Sequence, residues 1–149
     1  MSTSLRCIAL LGLLLSVACG TDELSVRGEL SASVDGASHV FDFPATINLA
    51  ADGFEQDVFA GHCEFQGSNV SVGIVRPGPG ESGFSRFSLQ TTDAGVSVEV
   101  FVDGVRYEGG CEVDVLYSDA GDGVFAAQMN CESLGEAALS GELHFAGCL

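Results

Sequence analysis

The chain reads as an all-β protein, an antiparallel β-sandwich or small barrel of about nine or ten short strands stapled by disulfides. Three observations lead there. Apolar and polar residues alternate with a period of two through much of the length, as half-buried strands do. Clusters of Gly, Asp and Pro interrupt that alternation about every 8–12 residues. No stretch carries an apolar stripe at helical spacing long enough for a helix of about ten residues.

The alternation is cleanest over residues 24–34. Leu24, Val26, Leu30, Ala32 and Val34 share one side, and Ser25, Arg27, Glu29, Ser31 and Ser33 share the other. Asp35-Gly36 turns the chain into a strand over 38–43, which Pro44 breaks. Strands over 45–50 and 56–65 follow, closed by Asp52-Gly53 and by Gly67-Ser68-Asn69. A strand over 70–75 enters the loop 76–83, whose prolines and glycines bar it from a sheet interior. Alternation resumes over 84–91 and turns at Asp93-Ala94-Gly95. The clearest hairpin joins 96–102 to a strand starting at Val105 through Asp103-Gly104, a pair suited to a turn in which both residues take positive φ. A second hairpin joins 112–117 to 124–131, and a last pair of strands is expected over 137–145.

Ahead of this pattern, residues 7–18 form an apolar run preceded by Arg6 and closed by small residues. It is shorter than the roughly 20 residues that cross a bilayer, and reads as an export signal. The expected organisation is a signal peptide over 1–18, a cysteine and short tether over 19–23, and one β domain over 24–149. Ser16-Val17-Ala18 would suit ordinary signal peptidase as well as lipoprotein processing at Cys19. Cysteine arithmetic separates the two. Beyond the leader lie Cys19, Cys63, Cys111, Cys131 and Cys148, an odd set. With Cys19 acylated, four remain to pair; ordinary secretion leaves one thiol over.

Export makes disulfides the default for those four. If the turn over 118–123 is centred at Gly121, positions summing to 242 face each other, which sets Cys111 opposite Cys131 and leaves Cys63 with Cys148. No Cys-x-x-Cys or Cys-x-x-His spacing offers a metal site instead.

The whole chain carries a formal net charge of −16, one unit more negative once Arg6 leaves with the leader, and it contains no lysine. Such a surface repels nucleic acid and anionic head groups, so neither is an expected partner. No cofactor is implied. Asp119 and Asp122 in the turn over 118–123 are a weak candidate pair for Ca²⁺, without the spacing of a dedicated calcium loop. His62 beside Cys63 invites a nucleophile–base reading, but neighbours in a strand point to opposite faces. His39, His62 and His144 fall on different strands. Ser82 lies in a Gly-rich loop that lacks the strand-to-helix setting of a nucleophile elbow. Phe41, Phe43, Phe84 and Phe87 read as core.

Ser16-Val17-Ala18-Cys19-Gly20 resembles the lipobox of bacterial lipoproteins, although Ser16 stands where Leu, Val or Ile is usual. The resemblance implies a lipid on Cys19 as the mature N-terminus. Gly20 in place of Asp implies outer-membrane sorting in Gram-negative families of this kind. The short tether and cysteine-paired β domain are also loosely similar to the small mycobacterial lipoprotein antigens. The expectation is a lipid-anchored envelope protein, not an enzyme, whose β domain binds a partner or plays a structural part. The alternatives are a carrier with an enclosed apolar cavity, and a hydrolase marked by His, Ser and acidic side chains gathered in one cleft.

Overall fold

In a computed structural model, residues 23–42, 47–48, 60–76 and 83–149 are described. They form eleven strands and no helix: β1 (Glu23–Val34), β2 (Ala37–Asp42), β3 (Ile47–Asn48), β4 (Ala60–Gln66), β5 (Asn69–Val75), β6 (Phe84–Thr92), β7 (Gly95–Val102), β8 (Val105–Gly110), β9 (Glu112–Asp119), β10 (Val124–Leu134) and β11 (Ala137–Ala146). Two antiparallel sheets pack face to face. Sheet 1 has the order β2-β1-β11-β10-β9, with β3 also paired to β1. Sheet 2 is the meander β4-β5-β6-β7-β8.

The alternation over 24–34 does in the structure what it dictates locally. Leu24, Val26, Leu30 and Ala32 are buried, while Ser25, Arg27, Glu29 and Ser33 are exposed. The same period places Val70, Val72 and Ile74 of β5, Phe87 and Leu89 of β6, and Phe125, Ala127 and Met129 of β10 between the sheets. The core includes Phe41, Phe84 and Phe87, as the sequence suggests; the rings of Phe41 and Phe84 pack in a tilted pair with centroids 5.0 Å apart. Phe43 lies outside the described residues. Burying an aromatic or aliphatic side chain of this size contributes about 1.5–3 kcal/mol. Among the described residues no polar or charged side chain is buried, so the core carries no desolvation penalty.

Asp103 takes φ 50° and Gly104 φ 76°, the double left-handed turn that an Asp-Gly hairpin requires. Residues 137–145 differ from the expected pair of strands. They form one long strand, β11, which pairs with β10 on one side and β1 on the other. Glycine at 141 does not turn the chain there. Its φ of 140° is matched by 127° at Gly28 on β1, and at these two places the strands approach too closely for a side chain. A Cβ at Gly28 would lie 2.0 Å from the Glu142 carbonyl oxygen, and one at Gly141 would lie 2.1 Å from that of Glu29. Of the strand expected over 45–50, the described part is β3. Residues 56–59 of the expected strand 56–65 lie outside the described residues, and its remainder is β4.

Both disulfides form as the spacing suggests: Cys111–Cys131 and Cys63–Cys148, with Cα–Cα distances of 4.7 and 4.6 Å. The register that brings Cys111 to Cys131 is less simple than a single hairpin. Near the turn, Val124 faces Asp119 and Phe125 faces Ser118, so facing positions are displaced by one residue from the expected centre. A β-bulge at Leu116 absorbs the extra residue, after which Gln128 faces Asp114 and Asn130 faces Glu112. Cys111 sits where the chain leaves β8 of sheet 2 and enters β9 of sheet 1. The other bridge also joins the sheets. Beyond β11, Cys148 donates its N–H to the Gly123 carbonyl, and Leu149 exchanges backbone hydrogen bonds with Cys63 and Phe65 on the edge strand β4.

Two tests follow from this packing. Gly141→Ala should cost at least about 3 kcal/mol in chemical denaturation, because backbone must move, whereas Gly67→Ala, at an open turn, should cost about 1 kcal/mol. Replacing Cys63 and Cys148 with Ser should destabilise the domain by about 1.3 kcal/mol more than replacing Cys111 and Cys131. The chain-entropy advantage of closing a separation of 85 rather than 20 residues sets that difference.

Candidate functional site

The register of sheet 2 aligns small and polar side chains on its outer face. One row across the strands runs His62, Gly73, Ser88, Glu99 and Glu108; the next runs Glu64, Ser71, Gln90, Ser97 and Gly110. Because the inner positions of these strands are apolar, the outer positions are free to be Ser, Gly and Gln. The result is a trough of about 610 Å³ floored by serines and walled by His62, Glu99, Arg106 and Glu108.

Gly73 shapes one end of it. A Cβ there would lie 2.5 Å from His62 Cε1, so the imidazole lies over the bare glycine backbone. His62 Nε2 is 3.1 Å from Ser71 Oγ. At the other end Arg106 bridges two strands, with Nε 2.5 Å from Glu99 Oε2 and Nη2 2.5 Å from Glu108 Oε2. Arg86 lies over the Phe101 ring at 4.7 Å on the row beyond.

This trough gathers His, Ser and acidic side chains in one place, the arrangement that would favour a hydrolase. Its hydrogen bonding points elsewhere. Glu99 is held by Arg106 and does not orient the His62 ring. Ser71 lies on a strand flanked by β4 and β6, where backbone N–H groups are spent on the sheet ladders and cannot form an oxyanion hole. What the arrangement offers is a set of hydroxyl, amide and carboxylate groups on a rigid surface.

The residues singled out from sequence are dispersed. Cys63, Cys111, Cys131 and Cys148 are all bridged, and Cys19 and Ser82 lie outside the described residues. Asp119 Oδ1 accepts hydrogen bonds from the N–H groups of Gly121 and Asp122 at 2.8 and 3.0 Å, so its carboxylate organises the β9–β10 turn. Among the described residues no group of three or more His, Cys, Asp or Glu is placed to hold a metal ion. His39 lies 3.8 Å from Asp103, His144 pairs with Glu142, and His62 is on the other sheet. Among the described residues, depressions of 300 to 610 Å³ line the sheets, and the apolar side chains of the inner faces form one buried cluster.

Sequence reasoning missed Ser71, Ser88, Glu99 and Arg106 as a group. Each occupies an outer position that alternation identifies, but only the cross-strand register brings them together. No protein-family model, no curated protein and no solved structure matches this chain.

A serine-directed fluorophosphonate probe should leave the full-length protein unlabelled at Ser71. Stoichiometric labelling that disappears in His62→Ala would establish an activated nucleophile and overturn this account of the trough.

Proposed function

We propose that the protein is a lipid-anchored component of the cell envelope whose β-sandwich serves as a binding or structural module and performs no catalysis. The observation that carries the reading is the use of the cysteines. The four that belong to the sandwich are consumed in two bridges, Cys63–Cys148 and Cys111–Cys131. Cys19, in its lipobox-like setting, remains as the one thiol past the leader without a counterpart. Disulfides of this kind suit an oxidising compartment outside the cytoplasm.

The absence of chemistry in the proposal is supported by the state of the trough, where the one His–Ser pair lacks an orienting carboxylate and an oxyanion hole. A carrier role has less to recommend it, since the described apolar side chains of the two inner faces pack into a single buried cluster. The outer face of sheet 2 is the surface we assign to a polar partner. A rigid row of hydroxyl and amide groups favours hydrogen bonding over apolar burial, and the strongly acidic chain disfavours nucleic acid.

Intact-mass analysis of the membrane fraction tests the anchor. The expected species begins at Cys19, carries diacylglycerol or more, and contains no iodoacetamide-reactive thiol before reduction. Cys19→Ser should move the protein from the membrane to the soluble fraction. A protein with an uncut leader and reduced thiols would overturn the reading.

A further inference from the structure

The β-bulge in β9 builds a second surface feature. On sheet 1, Tyr117 faces the outer-face residue Ala126, and the next ladder pair sets Val115 against Ala127, leaving Leu116 as the inserted residue. Leu116 and Tyr117 therefore stand together beside Ala126, both about half exposed, at 48% and 50%. With Val124 and Ala146 they line an apolar groove of about 520 Å³ that runs across β9, β10, β11 and β1 to Arg27.

Arg27 differs from the other arginines of the domain. Arg76 lies over Phe41, Arg86 over Phe101, and Arg106 between two glutamates. Arg27 has no carboxylate, ring or hydrogen-bond partner among the described residues, and it faces His144 across the β1–β11 ladder. An exposed cation at the rim of an apolar groove matches an amphiphile with a phosphate at one end and hydrocarbon at the other.

Position supplies the occupant. Ser25 also lines the groove, two residues into β1. If Cys19 is acylated, only three residues separate it from Glu23, and the four Cα–Cα steps between the two reach at most about 14 Å when fully extended. That is about half the thickness of a hydrocarbon core, so this end of sheet 1 is held at the head-group level. Tyrosine is a side chain that favours that zone. The acidic excess of the chain argues against a strongly anionic surface, while one arginine meeting one phosphate suits a zwitterionic lipid.

We infer that the groove formed by Leu116, Tyr117, Val124, Ala126 and Ala146 is the membrane-facing surface of the protein, taking a zwitterionic phospholipid with its phosphate on Arg27. The inference rests on the lipid-anchor reading of Cys19 for its geometry and adds the face that meets the bilayer.

The chain has no tryptophan, so Tyr117→Trp installs a single indole reporter in the groove. Val105→Trp is the reference. Val105 is 51% exposed and follows the turn at Asp103, which lies against His39 and so close to the far end of β1. Each full-length variant, purified from membranes, is placed in phosphatidylcholine–phosphatidylethanolamine vesicles containing acyl-brominated phosphatidylcholine. The indole at position 117 should be quenched at least about twofold with a blue-shifted emission, and that at position 105 should be little affected. Adding Arg27→Gln to the groove reporter should roughly halve the quenching while the protein stays with the vesicles. Absent quenching at 117, or equal quenching at both positions, overturns the inference even where mass analysis finds Cys19 acylated. A blue shift without bromine quenching places the protein's own acyl chain in the groove and likewise overturns the bilayer as occupant. Protein purified without acyl mass defeats the anchor reading alone. The same vesicles added to that protein then decide the groove, with quenching confined to position 117 supporting it and none overturning it.

Discussion

The ladder between β1 and β11 is the constraint on which the rest of the fold depends. Sheet 2 is a run of neighbouring hairpins, each formed from chain segments adjacent in sequence. Sheet 1 is assembled from the two ends of the domain, and only the pairing of residues 25–34 with residues 137–146 unites them. Closing a loop that long is costly in chain entropy, and the return comes only when the two sheets bury their inner faces together. Gly28 and Gly141 show how tightly the ladder is drawn, since each leaves room for the opposite strand's carbonyl. The Cys63–Cys148 bridge secures the same closure from the other side by fixing the segment after β11 to the edge of sheet 2.

Much of this was legible in sequence, and for a definite reason. A strand buried on one face must alternate, and residues 24–34 alternate almost without interruption. Asp-Gly pairs at 35–36 and 103–104 marked tight turns because few other residues accept positive φ. Register was harder to read. Cys111 and Cys131 were matched from a turn centre that the structure places differently, and the bulge at Leu116 restores the match. A bulge leaves no signature in a period-two pattern as short as β9. Residues 137–145 read as a pair of strands where the structure has a single one, and a glycine required by a neighbouring strand, as Gly141 is, looks the same in sequence as one required by a turn.

The candidate site was legible only as scattered polar positions. Ser71, Ser88 and Ser97 come from three strands, and nothing in the local sequence of any one strand announces the other two. The two outer faces have diverged in chemistry although the inner faces are alike. Sheet 2 presents hydroxyls and an arginine neutralised by two glutamates. Sheet 1 presents, at one end, an apolar groove beside Arg27, which has no carboxylate partner among the described residues. A sandwich with two such faces can meet two different environments at once, as the proposed lipid-anchored module would have to do.

The direction of β1 gives the domain a mechanical character. Force arriving through the residues ahead of Glu23 and resisted elsewhere in the body runs along the strand, in shear. The ten residue pairs of its ladder with β11 then bear the load together instead of opening one after another like a zipper. The cystine at Cys148 keeps the partner strand from peeling away under that load. A protein gripped at this end would yield under tension abruptly and at high force, with little give beforehand.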